Sequence, residues 1–472
     1  MEKKNTWETY SSKQLKELEK INAQYRDFLD NGKTERECID TIVNTIEKSG
    51  YRELESLIKE GAALKTGDKV YSVWMNKSIA MFQIGRKPMT DGMNILGAHI
   101  DSPRLDVKQN PLYEDGGFAY LDTHYYGGVK KYQWVTIPLA IHGVIVKKDG
   151  TCVEINIGEK EDDPVFFVSD LLIHLAQEQL EKKAAKVIEG EALDIIVGNK
   201  PLLIDKKDKK KDEKEAGKEA VKAGVLDILK ETYDIHEEDF VSAELEIVPA
   251  GKAREAGFDR SMILAYGQDD RVCAYTSMQA MLDSDVTDRT MCCILVDKEE
   301  IGSVGATGMQ SHFFENAVAE VMNLTGEYSE LHVRRCLAHS CMLSSDVSSA
   351  FDPTYASSFD KKNVAYLGGG MVINKFTGAR GKSGSNDANA EYLAHLRHIF
   401  DKADVNFQTA ELGKVDLGGG GTIAYILALY GMNVIDSGVA VLNMHAPWEA
   451  TSKADVYEAY RGYKAFVEGA SL

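Results

Sequence analysis

Apolar residues recur at helical spacing through the first 60 positions, and this pattern predicts helices. Thr34-Glu35-Arg36-Glu37 has the order of a capping box, so a helix should run from there through Ile46, with Gly50 closing it. The period then shortens. Residues 70–74, 78–84 and 94–100 form β-rich runs separated by polar turns. A tyrosine- and glycine-rich stretch at 111–134 leads into β-prone segments around Asp149-Gly150, which is hairpin chemistry. Residues 170–180 read as a helix, and the lysine-dominated run at 206–214 reads as a solvated loop or helix face. Beyond Val241, apolar strands at 261–266, 291–296 and 434–442 alternate with helical segments at 274–282, 390–403 and 454–468. Such alternation predicts an α/β fold, a mixed sheet flanked by helices. The β-containing stretch 107–245 then reads as an insert that splits one domain into residues 1–106 and 246–472.

Length and charge narrow the function. At roughly 150 residues per domain, 472 residues make two or three units. With 55 basic and 74 acidic residues the formal charge is −19, which argues against a broad nucleic-acid surface and against an anionic membrane as partner. No stretch approaches the roughly 18 apolar residues of a membrane span, and the polar start lacks an apolar targeting core. Seven cysteines with no CxxC pair suggest reduced thiols and a cytoplasmic location. Cys292 and Cys293, adjacent on a strand, should face opposite ways. Cys336, His339 and Cys341 lack a fourth partner and read as packing residues, not as a metal site.

The chemistry gathers where strands end. Three predicted strands run into His99-Ile-Asp101-Ser-Pro, Asp297-Lys-Glu299-Glu300-Ile-Gly-Ser, and His445-Ala-Pro. Asp269-Asp270 and Ser344-Ser345-Asp346 follow two more. In open α/β sheets, ligands bind outside the carboxyl ends of strands. Two imidazoles and several carboxylates form the donor set of a two-metal centre, with His99 and His445 serving one ion each. In His99-x-Asp101 the carboxylate can hold the imidazole tautomer. The adjacent glutamates can divide labour, Glu300 binding metal and Glu299 taking a proton from water. The glycine-rich Gly381-Lys382-Ser383 ends like a phosphate loop, but Phe376 stands where that loop needs glycine.

These motifs in this order, with Ser452-Lys-Ala-Asp-Val-Tyr near the end, resemble the aspartyl aminopeptidase family of metallopeptidases over about residues 10–470. The resemblance implies two divalent ions per subunit, zinc first with cobalt or manganese as alternatives. It implies that Asp269 bridges them, His99 and Asp346 complete one, Glu300 and His445 complete the other, and Glu299 is the general base. Register with the following helix selects Asp269 over Asp270 as the ligand. The resemblance also implies a dimerisation role for the insert, a dodecameric homo-oligomer, and release of N-terminal residues from peptide substrates. His174 lies in a segment similar to one that reaches a neighbouring subunit's active site. Lys375 stands near the family lysine that meets an acidic substrate side chain, one step out of the simplest alignment. Ser349 and Asp352 replace family histidines, and Trp448 stands where an arginine is common. Selectivity for acidic residues is therefore one expectation, and a broad aminopeptidase of the same fold is the other. A catalytically silent self-assembling scaffold is the non-enzyme alternative.

Overall fold

Thr290–Val296 is buried at every position, as a strand covered on both faces must be. It lies beside Met93–His99, also buried throughout, in a nine-stranded mixed sheet. The computed structural model describes residues 5–202, 219–378 and 380–471; the lysine-dominated run at 206–214 falls outside them. Four neighbouring strands, Thr290–Val296, Met93–His99, Cys341–Ser345 and Asn433–Gly438, run parallel, with Val296 opposite His99 and Ser344 opposite Gly97. Their carboxyl ends therefore open along one edge.

Alternation along these strands builds two cores. Cys293, Leu96, Leu343 and Ile435 face one, and Cys292, Ile95, Met342 and Val434 face the other. The adjacent cysteines thus part to opposite faces, and all seven cysteines are free. Helices Ser12–Asn31, Glu35–Lys48, Gln268–Leu282 and Lys453–Gly469 contribute buried residues to the first core. Phe313–Leu324, Glu330–His339 and Ala424–Ala428 contribute to the second. The capping box forms. Thr34 Oγ1 accepts the Glu37 N–H at 3.3 Å, and Glu37 Oε2 accepts the Thr34 N–H at 3.1 Å. Two of the four open N–H groups of that helix are satisfied in this way.

The chain clusters into two compact units, one of residues 1–102, 253–444 and 448–472, the other of residues 103–252 with 445–447. The first unit also holds a five-stranded sheet that includes Met262–Ala265, Glu449–Ser452 and Ala440–Leu442. In the second, six antiparallel strands form one sheet, in which Leu139–Val146 and Cys152–Ile157 pair as the hairpin expected around Asp149-Gly150. Asp149 Oδ1 accepts the Thr151 N–H at 2.8 Å across that turn. No helix among the described residues is long and apolar enough to cross a membrane.

Two expectations need correction. Residues 170–180 do not form one helix; a 3-10 turn, Ile173–Leu175, and a short helix, Gln177–Leu180, stand there. Asp170 Oδ1 takes the Leu171 N–H and the Gln179 amide, and such local bonds compete with a helix. Leu171, Leu172, Ile173 and Leu175 are exposed, so burial does not stabilise a helix either. The run 434–442 is also two strands in two sheets, Asn433–Gly438 and Ala440–Leu442. The switch occurs where Ser437 O accepts the Asp346 N–H at 2.9 Å and Ser348 N–H bonds Val439 O.

Glycine is required at that switch. A Cβ on Gly438 would lie 1.9 Å from the carbonyl oxygen of Asp346. Gly438→Ala should therefore cost about 1–3 kcal/mol and displace Asp346. Thermal unfolding is the check: a lower midpoint is expected, and an unchanged one would show that the backbone relaxes without penalty.

Candidate metal centre

The edge formed by the parallel strands carries the titratable cluster. His99, the last residue of its strand, is buried, and its ring is held from both sides. Nδ1 lies 3.0 Å from the Asp101 carbonyl oxygen and 3.3 Å from Asp101 Oδ1, and Nε2 lies 3.2 Å from Asp269 Oδ1. A carbonyl can only accept, so Nδ1 carries a proton in either charge state, and Nε2, which faces Asp269, is the nitrogen that a cation would take in place of a proton. Asp101 does a second task. Its two carboxylate oxygens accept the backbone N–H groups of Glu299 and Glu300, each at 3.1 Å. One buried aspartate thereby orients the imidazole and fixes the turn that presents both glutamates.

That turn follows Thr290–Val296 and is a 3-10 turn, Glu299–Ile301, entered through Lys298 at φ 72° and left through Gly302 at φ 99°. Behind it, Asp297 is buried, accepts Thr307 Oγ1 at 2.6 Å and pairs with Lys298 at 2.9 Å. Its carboxyl is pushed up to about 6, chiefly by burial, with Glu35 and Asp101 adding. Asp269 and Asp270 open the helix Gln268–Leu282 in non-helical conformations, joined by a cis peptide. Asp269 presents its carboxylate to the His99 ring, whereas Asp270 Oδ2 meets the His99 backbone N–H at 3.4 Å. Asp346 follows Cys341–Ser345, its N–H fixed on Ser437 O.

Two groups of donors result. His99, Asp269 and Glu300 each place one ligand atom within 4.8 Å of the others, and so do His99, Glu299 and Asp346. His99 belongs to both. Burial holds the carboxyl groups of Asp270 and Asp346 far above the usual range, with Asp269 and Glu299 raising Asp346 further. For His99, burial is the largest influence and opposes charge, but Asp101 and Asp269 outweigh it and raise the ring well above its ordinary value. So many carboxylates around one imidazole form a cavity of negative charge that a divalent cation fits, in donor type and in sign.

The other expected site residues are in neither donor group. Neither donor group includes His445; its Nδ1 is 3.0 Å from the Gly128 carbonyl oxygen within the second unit, which leaves its Nε2 as acceptor too. His174 is exposed in the second unit. Lys375 is exposed directly after the strand Met371–Asn374. His339 is exposed, with Nδ1 2.8 Å from Thr90 O, and joins no donor group with Cys336 and Cys341 among the described residues. Glu449 escaped the sequence reading. Buried in a strand, it accepts the Asp269 N–H on Oε2 at 2.9 Å and so helps to aim that residue. A lone glutamate inside the β-prone Glu449-Ala-Thr-Ser was the available signal.

Comparison with known proteins identifies the family. Residues 28–467 match the aminopeptidase I zinc metalloprotease (M18) family. A probable M18 family aminopeptidase 1 from Clostridium acetobutylicum is 63% identical over 466 residues, covering 99% of this chain and 98% of that protein. The crystal structure of an M18-family aminopeptidase from Thermotoga maritima matches at 44% identity with a TM-score of 0.92, over 100% of both chains. That of aminopeptidase I from C. acetobutylicum matches at 60% with a TM-score of 0.90, over 99% of both. The ordered motifs, the sheet that aligns them and these matches over nearly the whole length carry one conclusion: this chain belongs to the M18 family of zinc aminopeptidases, metalloproteases that remove the N-terminal residue of peptides.

Proposed function

We propose that hydrolysis proceeds at a two-metal site in which Asp269 bridges, His99 and Asp346 serve one ion, Glu300 and His445 serve the other, and Glu299 is the general base. The observation that carries this reading is the shared use of His99 by two carboxylate groups, with Asp101 fixing both the ring and the glutamate turn. Bound divalent ions, zinc first, would supply Lewis acidity to the scissile carbonyl and lower the pKa of the attacking water. Glu299 takes a proton from that water and later returns it to the leaving amine. Glu300, whose side chain diverges from its neighbour's, remains a ligand. The Asp101 carboxylate keeps both glutamates and His99 in place through the cycle.

The same reading gives the insert, residues 107–245, a dimerisation role within a homo-oligomer, a dodecamer by family resemblance. The exposed apolar run Leu171, Leu172, Ile173 and Leu175 supports this, because adjacent exposed leucines and isoleucines mark interfaces. His174 sits within that run and is assigned to a neighbouring subunit's substrate. Seven free cysteines fit a reducing cytoplasm. Lys375, an exposed cation, is assigned to acidic N-terminal side chains.

Three outcomes test this. Glu299→Gln should lower kcat by about 10²–10⁴-fold while zinc content stays near wild type; near-normal turnover would remove Glu299 as base. Stripping the metal should abolish activity and give the protein a distinctive pH profile. Asp270 and Asp346 are raised in the fold above an aspartate's ordinary 3.8, so the folded chain binds more protons than the unfolded one. Their effect on stability is absent below that value and becomes a growing penalty as pH rises towards their folded values. His99 acts in the same direction, its stabilisation present below its ordinary 6.5 and lost as pH rises through its raised folded value. The stripped protein should thus melt progressively lower between about pH 5 and pH 8, and the zinc-loaded protein should not. Parallel melting curves would contradict a cation-neutralised cluster. Finally, a panel of aminoacyl chromogenic substrates should show Asp and Glu favoured, and Lys375→Ala should reduce that preference about three- to fivefold; a hydrophobic profile that the variant leaves intact would assign broad specificity instead.

A further inference from the structure

The second unit contains a pocket of about 410 Å³ lined by Tyr125, Lys130, Lys131 and Tyr132, with the short helix Ala184–Val187 supplying Ala184 and Ala185 as its apolar wall. In a chain of formal charge −19, no carboxylate among the described residues lines it. Among the described residues neither Lys130 nor Lys131 forms an ion pair, and the Lys131 ammonium lies 5.9 Å from the centre of the Tyr125 ring. Lys183 and Lys186 flank the wall alanines in sequence, and two acids that follow them in the chain pair with other lysines, Glu189 with Lys182 and Glu191 with Lys108. Tyr125 is 41% and Tyr132 44% exposed, so both rings remain open to a partner. Cations beside aromatic walls with no local counter-charge concentrate positive potential, which recruits anions.

Position gives this pocket a purpose. Gly128, two residues before Lys130, holds the His445 imidazole through its carbonyl oxygen, and a Cβ there would lie 3.3 Å from His445 Nδ1. The pocket loop and His445 are therefore tied together within the second unit. We propose that this pocket binds a carboxylate on the part of the peptide beyond the scissile bond, either an acidic side chain or the free C-terminus. The inference rests on the reading of His445 as a metal ligand, since the loop that lines the pocket also holds that imidazole. Lys130 and Lys131 supply the charge, and Tyr125 and Tyr132 supply flat walls for the intervening chain.

The test uses the zinc-loaded full chain and the double variant Lys130→Ala, Lys131→Ala. Tripeptides with one N-terminal residue carry Glu or Gln downstream, each with a free or an amidated C-terminus; an aminoacyl anilide reports cleavage with no peptide beyond the bond. The variant should raise KM about three- to tenfold for substrates bearing a carboxylate, with kcat and anilide turnover unchanged, and Lys→Arg at both positions should restore the wild-type KM. The Glu/Gln pair and the free/amidated pair then identify which carboxylate is held. An equal ratio of acidic to neutral kcat/KM in wild type and variant overturns the proposal, including when both proteins lose anilide turnover alike. Calorimetry with N-acetylated acidic tripeptides keeps the pocket separable from the metal reading. Binding lost in the variant supports the pocket even if the metal assignment fails, and binding equal in the two proteins overturns it.

Discussion

Asp101 is the group on which the site depends. It is buried completely, two residues after the end of a strand, and its carboxylate meets the His99 ring on one side and two backbone N–H groups on the other. Those N–H groups belong to the turn beyond the neighbouring parallel strand, so one side chain couples two strand ends that the sheet register brings together. A backbone-held glutamate pair loses less entropy on reaching a cation or a water than a pair on a free loop does. Replacement of Asp101 would therefore disturb three residues of the cluster at once, His99, Glu299 and Glu300, although it is assigned neither a metal nor a proton.

Charge is the second constraint, and it follows from the first. Gathering Asp101, Asp269, Asp270, Glu299, Glu300 and Asp346 around one imidazole, with burial, disfavours the charged forms of Asp270 and Asp346. The fold tolerates this because the backbones of Asp269 and Asp346 are fixed by bonds outside the cluster. Asp269 N–H bonds Glu449, Asp346 N–H bonds Ser437 O, and Ser102 Oγ donates to Asp269 O at 2.7 Å. The carboxylates cannot relax apart without breaking those bonds. An arrangement pre-stressed in this way binds a divalent ion more strongly than a flexible one, since the reorganisation is complete before the ion arrives.

Much of this was legible from sequence, for identifiable reasons. The Thr34 box, the opposed faces of Cys292 and Cys293, and the polar clusters after strands are local signals, and the fold preserves them. The division of 434–442 was not legible, because it depends on Asp346, nearly a hundred positions away, crossing at Gly438. The failed helix at 170–180 has a local cause in Asp170, but its apolar periodicity imitates a buried face that the exposed leucines do not form. Glu449 stayed hidden because one buried acid in a strand has no period to betray it. His445 is the instructive intermediate: the motif marked it as a ligand candidate, and its ring meets the backbone of Gly128, a contact no side-chain pattern encodes.

The total charge of −19 and the lysine pocket bear on selectivity at different ranges. At physiological salt the Debye length is about 8 Å, so dispersed surface acids slow the approach of an anionic peptide but act weakly once it has entered a pocket. Inside, the relevant charges are those within contact distance, and among the described residues the balance there reverses in sign: two lysines without an ion pair and no lining acid. Net repulsion at long range combined with local attraction disfavours loose encounter and retains only peptides whose carboxylate reaches the right place. Selectivity for acidic peptides in such a molecule would appear in KM more than in kcat, because neither lysine approaches the reacting bond and both act equally on ground and transition states.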